Sequence, residues 1–170
     1  MNLFKLLILF WSVLWFNDIL SAQSQYKVYF FLLEECKITQ AYVKEINRLK
    51  KEYECDSIEF KAFFPSPSSE IDLVEKFMKE YQLDLKYQMD VLQVTSSKYD
   101  VTVMPEVVLY DEFKMKVLYQ GRIDNLFAKI GKRRSRATTH ELNDCLESIR
   151  HGKLIHPFRT DAIGCFLTRL

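Results

Sequence analysis

From Tyr26 to Leu33 the chain reads YKVYFFLL, an unbroken run of aromatic, β-branched and aliphatic residues. A run without polar alternation is the pattern of a strand buried on both faces. Behind Glu34-Glu35-Cys36 the period changes. Ile38, Tyr42, Ile46, Leu49 and Tyr53 recur at steps of three or four, which predicts a helix. Ser57 to Phe64 (SIEFKAFF) predicts a second strand, stopped by Pro65 and Pro67. Ser69 with Asp72 three residues on has the form of a capping box, and Ile71, Val74, Met78 and Tyr81 make the stripe of a second helix. Lys86 to Asp90 predicts a short strand, and Val91 to Tyr99 about two helical turns. Glu106 to Tyr110 and Met115 to Tyr119 flank a turn at Asp111 to Lys114 and predict an antiparallel hairpin. A last helix is expected from Thr138, boxed by Glu141, with Leu142, Cys145, Leu146 and Ile149 on one stripe and Gly152 at its C-terminal cap. Asp124 to Ala137 and His151 to Leu170 show no period and are expected to be irregular surface chain.

Helix alternates with strand first and a hairpin follows, which predicts an α/β fold with a mixed central sheet and helices on both faces. A length of 170 residues suits one domain with appendages, and 13 Phe and 9 Tyr are ample for its core. Four Gly and four Pro exclude collagen-like or linker-rich chains. The formal net charge of +1 gives no whole-chain field directed at nucleic acid. The balance is uneven, however: ten basic and five acidic residues lie from Gly121 onward. Lys129 to Arg136 (KIGKRRSR) is a candidate for phosphate or anionic lipid, against the plainer reading of a solvated charged surface, and no interleaved aromatics support nucleic acid.

The first 22 residues read as a leader outside the fold. Lys5 supplies a positive start, Leu6 to Phe16 an apolar stretch too short to span a bilayer comfortably, and Ser21-Ala22 a small-residue cleavage site with Leu20 at the minus-three position. The mature chain is then expected to begin at Gln23 in an extracytoplasmic compartment, periplasmic or secreted, where disulfides persist. Membrane association is expected only if this segment stays uncleaved.

Cys36 stands between a buried strand and the first turn of a helix. Unpaired backbone N–H groups and the positive end of the helix dipole favour thiolate there. Lys37 assists, Glu34 and Glu35 oppose, and Thr39 can direct its hydroxyl at the sulfur. The competing reading is a small buried hydrophobe at a strand end, and position alone leaves both open. Met104-Pro105 bears on the choice: a proline just before a strand supplies no ladder donor, and a demanding turn at this point favours a cis bond.

Strand, cysteine at a helix start, long insert, then Val103-Met104-Pro105-Glu106-Val107 leading into a hairpin resembles the thioredoxin-like superfamily. Val74 to Asp90 resembles the extra helix and strand of its redoxin branch, which includes peroxiredoxin-like and membrane-tethered thiol-disulfide proteins. Glu35-Cys36-Lys37-Ile38-Thr39 is similar to an E-C-P-I-S segment of a group of exported bacterial redoxins. Tyr119-Gln120-Gly121-Arg122-Ile123-Asp124 is similar to that group's Y-x-G-R-I-D, and the Lys132-Arg133-Arg134 stretch and the Gly164-Cys165 tail to its ending. The resemblance spans roughly residues 25 to 167. It implies a cis-Pro105 facing Cys36, with thiol redox chemistry at that cysteine.

Departures from the group narrow that chemistry. Thr39 occupies the place of a second cysteine in C-x-x-C, which excludes a vicinal disulfide, and Lys37 replaces the group's proline. Leu33 stands where a peroxiredoxin has Thr. Gln40 fills the second position of a C-x-x-x-C copper site, and His140, His151 and His156 have no ligand spacing, so neither metal nor cofactor is implied.

Cys165 then reads either as a resolving partner of Cys36 or as a packed or exposed thiol, since four cysteines allow three full pairings. The tail beyond Gly152 is long enough, at about 3.3–3.6 Å per residue, to reach the Cys36 loop. Cys145 reads as core, and Cys55 has no assigned role. Expected partners are protein thiols or disulfides, or a small thiol or peroxide, with an external electron donor. Cys36, Thr39, Pro105 and Cys165 would form the catalytic set; Met104, through a free backbone, and Arg122 would touch substrate. Arg122 and Asp124 are also expected to form an ion pair that fixes their loop. The domain is expected over residues 25–152, with residues 153–170 as a tail. The competing class is a non-enzymatic binding module of the same fold, with Cys36 and Cys165 as a static tie or free thiols.

Overall fold

The computed structural model describes residues 25–170, so the expected leader lies outside the described residues. Strand β1 (Tyr26–Phe31) leads through Cys36 into helix α1 (Lys37–Tyr53), and β2 (Ile58–Phe64) returns parallel to β1. Helix α2 (Ile71–Tyr81) carries the chain to β3 (Lys86–Met89), parallel to β2. A five-residue helix α3 (Val94–Lys98) and the short β4 (Val103–Met104) follow. The hairpin β5 (Glu106–Asp111) and β6 (Lys116–Gly121) comes next, with β5 antiparallel to β1. After a small hairpin of β7 (Phe127–Lys129) and β8 (Lys132–Arg133), helix α4 (Glu141–Arg150) leads to β9 (Phe158–Arg159) and β10 (Cys165–Phe166). The main sheet runs β3-β2-β1-β5-β6-β9, and β4 and β10 form a separate antiparallel pair.

Alternation along the strands divides the core in two. Val28, Phe30 and Leu32 from β1 and its end, Phe60, Ala62 and Phe64 from β2, and Val107 and Leu109 from β5 pack with the apolar stripes of α1, α2 and α4. Phe31, Phe63, Val108 and Tyr110 point to the other face and meet Tyr99, Val101, Met104 and Leu167. Each face thus collects every second residue, as the pleat requires. Helices cover both faces as the sequence predicts, but unevenly: three long helices on one, only the short α3 and the tail on the other.

Several local expectations change. The expected capping box does not form, because Glu70 is the N-cap of α2 and the Ser69 hydroxyl donates instead to Glu34 Oε2 (2.8 Å). Ile71 is exposed, and Val74 and Phe77 are the residues of α2 that fill the core. Helix α4 starts three residues later than expected, with His140 as N-cap, because Glu141 is drawn to Arg122 and accepts the Thr139 hydroxyl (2.7 Å). Its end is as read: Gly152, at φ 63°, sends its N–H to Ile149 O and is followed by Lys153 N–H to Ser148 O, the paired bonds of a Schellman motif. Neither aperiodic stretch is simply irregular. The first contains the β7–β8 hairpin, and the second adds β9 to the main sheet and β10 to β4. Strands of two or three residues are too short to show a period, so nothing in the sequence marks them.

Candidate functional site

The site lies where β1 and β5 meet, at the C-terminal edge of one and the N-terminal edge of the other. Phe31 is registered opposite Glu106, so the Cys36 loop emerges beside the turn entering β5. That turn contains a cis Met104-Pro105 bond. Cys36 is the N-cap of α1 and is buried, with its N–H on Leu33 O (3.0 Å) and its carbonyl accepting from Gln40 N–H (2.9 Å). The Gln40 side chain holds the loop from the other side through Glu34 O (2.9 Å), and Lys37 Nζ in turn donates to Gln40 Oε1 (3.0 Å). Cys36 makes no side-chain cap bond and no acidic residue occupies the first turn of α1, so nothing within the helix offsets the positive end of its dipole at Cys36.

Cys36 and Cys165 form a disulfide, with Cα atoms 6.2 Å apart across a sequence separation of 129 residues. That spacing lies inside the usual range of about 4.4–6.8 Å. The Cys36 sulfur also lies 3.5 Å from the Met104 carbonyl oxygen. The tail reaches this point in two steps. First, β9 joins β6 in parallel, with Tyr119 opposite Phe158 and Thr160 N–H donating to Gln120 O (3.0 Å). Here Gly121, at φ 144°, leaves room for the Thr160 backbone, which a Cβ would strike. Then β10 pairs with β4, Cys165 opposite Met104 and Phe166 opposite Val103. A Cβ on Gly164 would collide with the Met104 carbonyl and the Pro105 nitrogen.

The structure therefore brings Cys36, Met104, Pro105 and Cys165 together. Contrary to the expectation, the Met104 backbone is not free: the protein's own tail is paired to it. Thr39 is fully buried, and its Oγ1 accepts the Leu33 N–H (3.4 Å). Arg122 is directed at Glu141, not at Asp124: its Nε donates to Glu141 Oε1 (3.0 Å) and a second guanidinium nitrogen bonds the same oxygen. That bond raises the Arg122 pKa; burial works against the Glu141 carboxylate, yet hydrogen bonds from Arg122 and Thr139 hold its pKa below the usual value. Asp124 instead accepts the Tyr42 hydroxyl (2.7 Å) and the Leu126 N–H (2.8 Å), tying the loop after β6 to α1. Burial, followed by that carboxylate, pushes the Tyr42 hydroxyl far above its ordinary pKa.

Of the other cysteines, Cys145 is buried on α4 as expected, and burial raises its pKa to about 12, while Cys55 is exposed. Among the described residues, no group of three or more His, Cys, Asp or Glu is placed to hold a metal ion. Also among them, no helix is long and apolar enough to cross a membrane. Sequence reasoning missed Gln93, whose side-chain amide donates to Thr168 O (2.6 Å) and accepts from Leu170 N–H (3.3 Å). It likewise missed Leu167, buried against the second core cluster. A lone glutamine carries no signal, because its partners lie 75 and 77 residues away.

No protein-family model matches the chain, and no curated protein matches it in sequence. Solved structures do match in shape. A conserved protein of Geobacillus kaustophilus described as uncharacterized superposes with a TM-score of 0.73 at 20% identity, over 88% of this chain and 80% of that one. A hypothetical protein of Sinorhizobium meliloti 1021 gives 0.72 at 19% identity, over 86% and 80%. A secreted Mycobacterium tuberculosis disulfide oxidoreductase homologous to E. coli DsbE gives 0.52 at 15% identity, over 75% and 84%. At such identities the likeness concerns the fold alone, and that fold is the thioredoxin-like α/β architecture.

Proposed function

We propose that the protein is an exported thiol-disulfide oxidoreductase in which Cys36 is the exchanging thiol and Cys165 its resolving partner. The observation that carries this reading is the Cys36–Cys165 disulfide, set against the Met104-Pro105 turn with Cys36 at the N-terminus of α1. The likeness to a secreted disulfide oxidoreductase supports it. In this reading residues 1–22 are a removed leader, 25–152 the redox domain and 153–170 a tail that delivers the second thiol.

The cycle balances with thiols and disulfides alone. An external dithiol reduces Cys36–Cys165, becoming a disulfide itself. The Cys36 thiolate then attacks a substrate disulfide, forming a mixed disulfide and releasing a substrate thiolate that takes up a proton. Cys165, deprotonated, attacks the Cys36 sulfur, restoring Cys36–Cys165 and freeing the second substrate thiol. The free N–H groups at the start of α1 stabilise the Cys36 thiolate each time it forms.

Reduction of insulin disulfides by dithiothreitol tests this. The wild-type protein should accelerate it, Cys36→Ser should abolish the acceleration, and Cys165→Ser should accumulate a Cys36-linked mixed disulfide visible by mass spectrometry. A native disulfide that resists dithiothreitol, with Cys36→Ser indistinguishable from wild type, would make the bridge a static tie and the protein a binding module.

A further inference from the structure

The tail is bound at the site in the way an extended peptide would be. Among the described residues strand β4 pairs only with β10, so without the tail the backbone groups on that edge are an open template for another strand. The tail's main chain is held at three further points: Leu167 N–H on Thr102 O (2.8 Å), Thr168 O on Gln93 Nε2 and Leu170 N–H on Gln93 Oε1. Gln93 is buried and sits in the left-handed region at φ 56°, at the N-cap of α3. Its amide thus offers donor and acceptor together to a single extended strand. All of these contacts are to backbone, so they would hold any strand in that register.

Beside the cysteine, two positions of Gly164 to Leu167 are closed in by their surroundings; outside that segment Ile163 packs on the first core cluster and the Arg169 guanidinium donates to Ser97 Oγ (3.1 Å) and Val101 O (2.7 Å). Before the cysteine, the space at Gly164 is closed by the Met104 carbonyl and the Pro105 nitrogen. Two places after it, Leu167 is 7% exposed among Phe31, Phe63, Tyr99, Val101 and Met104. Between them Phe166 is 76% exposed and touches neither requirement.

We propose that Gly164 to Leu167 is an internal copy of the substrate. The groove along β4 takes an extended peptide of another protein with a small residue just before its cysteine and an aliphatic residue two places after it. The proposal rests on Cys36 being the exchanging thiol. In the oxidised protein, the thiolate of such a peptide attacks the Cys36 sulfur. The Cys36–Cys165 bond breaks, Cys165 leaves as a thiolate and takes the proton the peptide thiol lost, and the tail yields β4 to the peptide. One disulfide is exchanged for another, so no further oxidant is required.

The test uses the full chain carrying Cys55→Ser and Cys165→Ser. The probe is a synthetic peptide of residues 161–169, its cysteine capped as a thionitrobenzoate disulfide. Thionitrobenzoate release and mass spectrometry report the Cys36–peptide adduct, with each peptide's rate normalised to its reaction with glutathione. Peptides carrying Gly164→Val or Leu167→Asp should react at least about tenfold more slowly than the parent, the scale set by losing one buried side chain, whereas Phe166→Asp should react like the parent. Adding Gly164→Val to the protein itself should expel the internal tail and accelerate the parent peptide. Equal rates for all four peptides, or no acceleration on expelling the tail, would overturn the proposal while leaving Cys36 an exchanging thiol. If Cys36 reacts neither with these peptides nor with dithiobis(nitrobenzoate), the proposed function itself falls.

Discussion

At the scale of the residue, burial beside the site acts on a carboxyl. Glu106, next to Pro105, is buried, and desolvation raises its pKa; the Gln120 amide (2.7 Å), the backbone around Thr102 and the charge of Arg159 offset this only in part. A carboxyl whose pKa is higher in the folded than in the unfolded chain stabilises the fold most below the unfolded value, and that contribution is lost as pH rises through the folded value. Stability should therefore decline from about pH 4.5 upward on this account. Glu106→Gln keeps an acceptor for Gln120 but has no charge to bury. Its urea unfolding curves should match wild type at acid pH and show higher stability at neutral pH; a parallel decline in both proteins would refute this. At Cys145 burial, helped by the nearby Asp144 and Glu141 charges, pushes the thiol up to about 12 and leaves it chemically quiet, whereas Cys36 is placed where a helix start favours the thiolate.

At the scale of the element, the tail is an assembly of weak pieces. Strands β9 and β10 have two residues each, far below what a free strand needs to persist. They hold because Leu167 fills the second core cluster, Gln93 grips the backbone, and Thr160 seats against Gly121 and accepts the Arg122 N–H (3.3 Å). Leu167→Ala removes the largest apolar contribution of the last segment, and cavity-forming changes of this type cost about 2–5 kcal/mol in a full core. A loss of about 2 kcal/mol is expected in urea denaturation, since the tail can partly collapse onto the gap. Trypsin should then cut after Arg159 faster than in wild type. Unchanged stability and cleavage would show that the disulfide alone holds the tail.

At the scale of the whole molecule, the disulfide joins the first helix to nearly the last residues and closes almost the entire described chain. In the chain-entropy account, a loop of this order restricts the unfolded ensemble by roughly 4–5 kcal/mol, and native bridges in small domains typically contribute about 2–5 kcal/mol. Urea unfolding with and without dithiothreitol should differ by that amount, and Cys165→Ser should coincide with the reduced wild type. Because five of the six strands of the main sheet, and every fully buried residue of the two core clusters except Leu167, lie before the tail, the reduced protein should still unfold cooperatively. A reduced form without a cooperative transition would mean the tail is integral to the fold.

The elements with length and period were legible in the sequence: the YKVYFFLL strand, the seventeen-residue α1, the hairpin after Pro105 and the Gly152 cap all follow from side-chain spacing and backbone preference. Cys36 at a helix start and Pro105 before a strand were legible for the same reason, since each is a statement about one residue and its immediate neighbours. Their meeting depended on the register of β1 against β5, which local pattern does not encode. The tail lay further out of reach. Gln93 and Thr168, Gly164 and Met104, and Leu167 and Phe31 are each far apart in sequence and complementary only in space. Sequence alone placed a cysteine at the head of α1 and another near the chain end; tertiary structure decided that they bond and that Met104 is covered. The physical reason is that pairing a two-residue strand gains too little by itself, so its place is set by the core and groove it lands on.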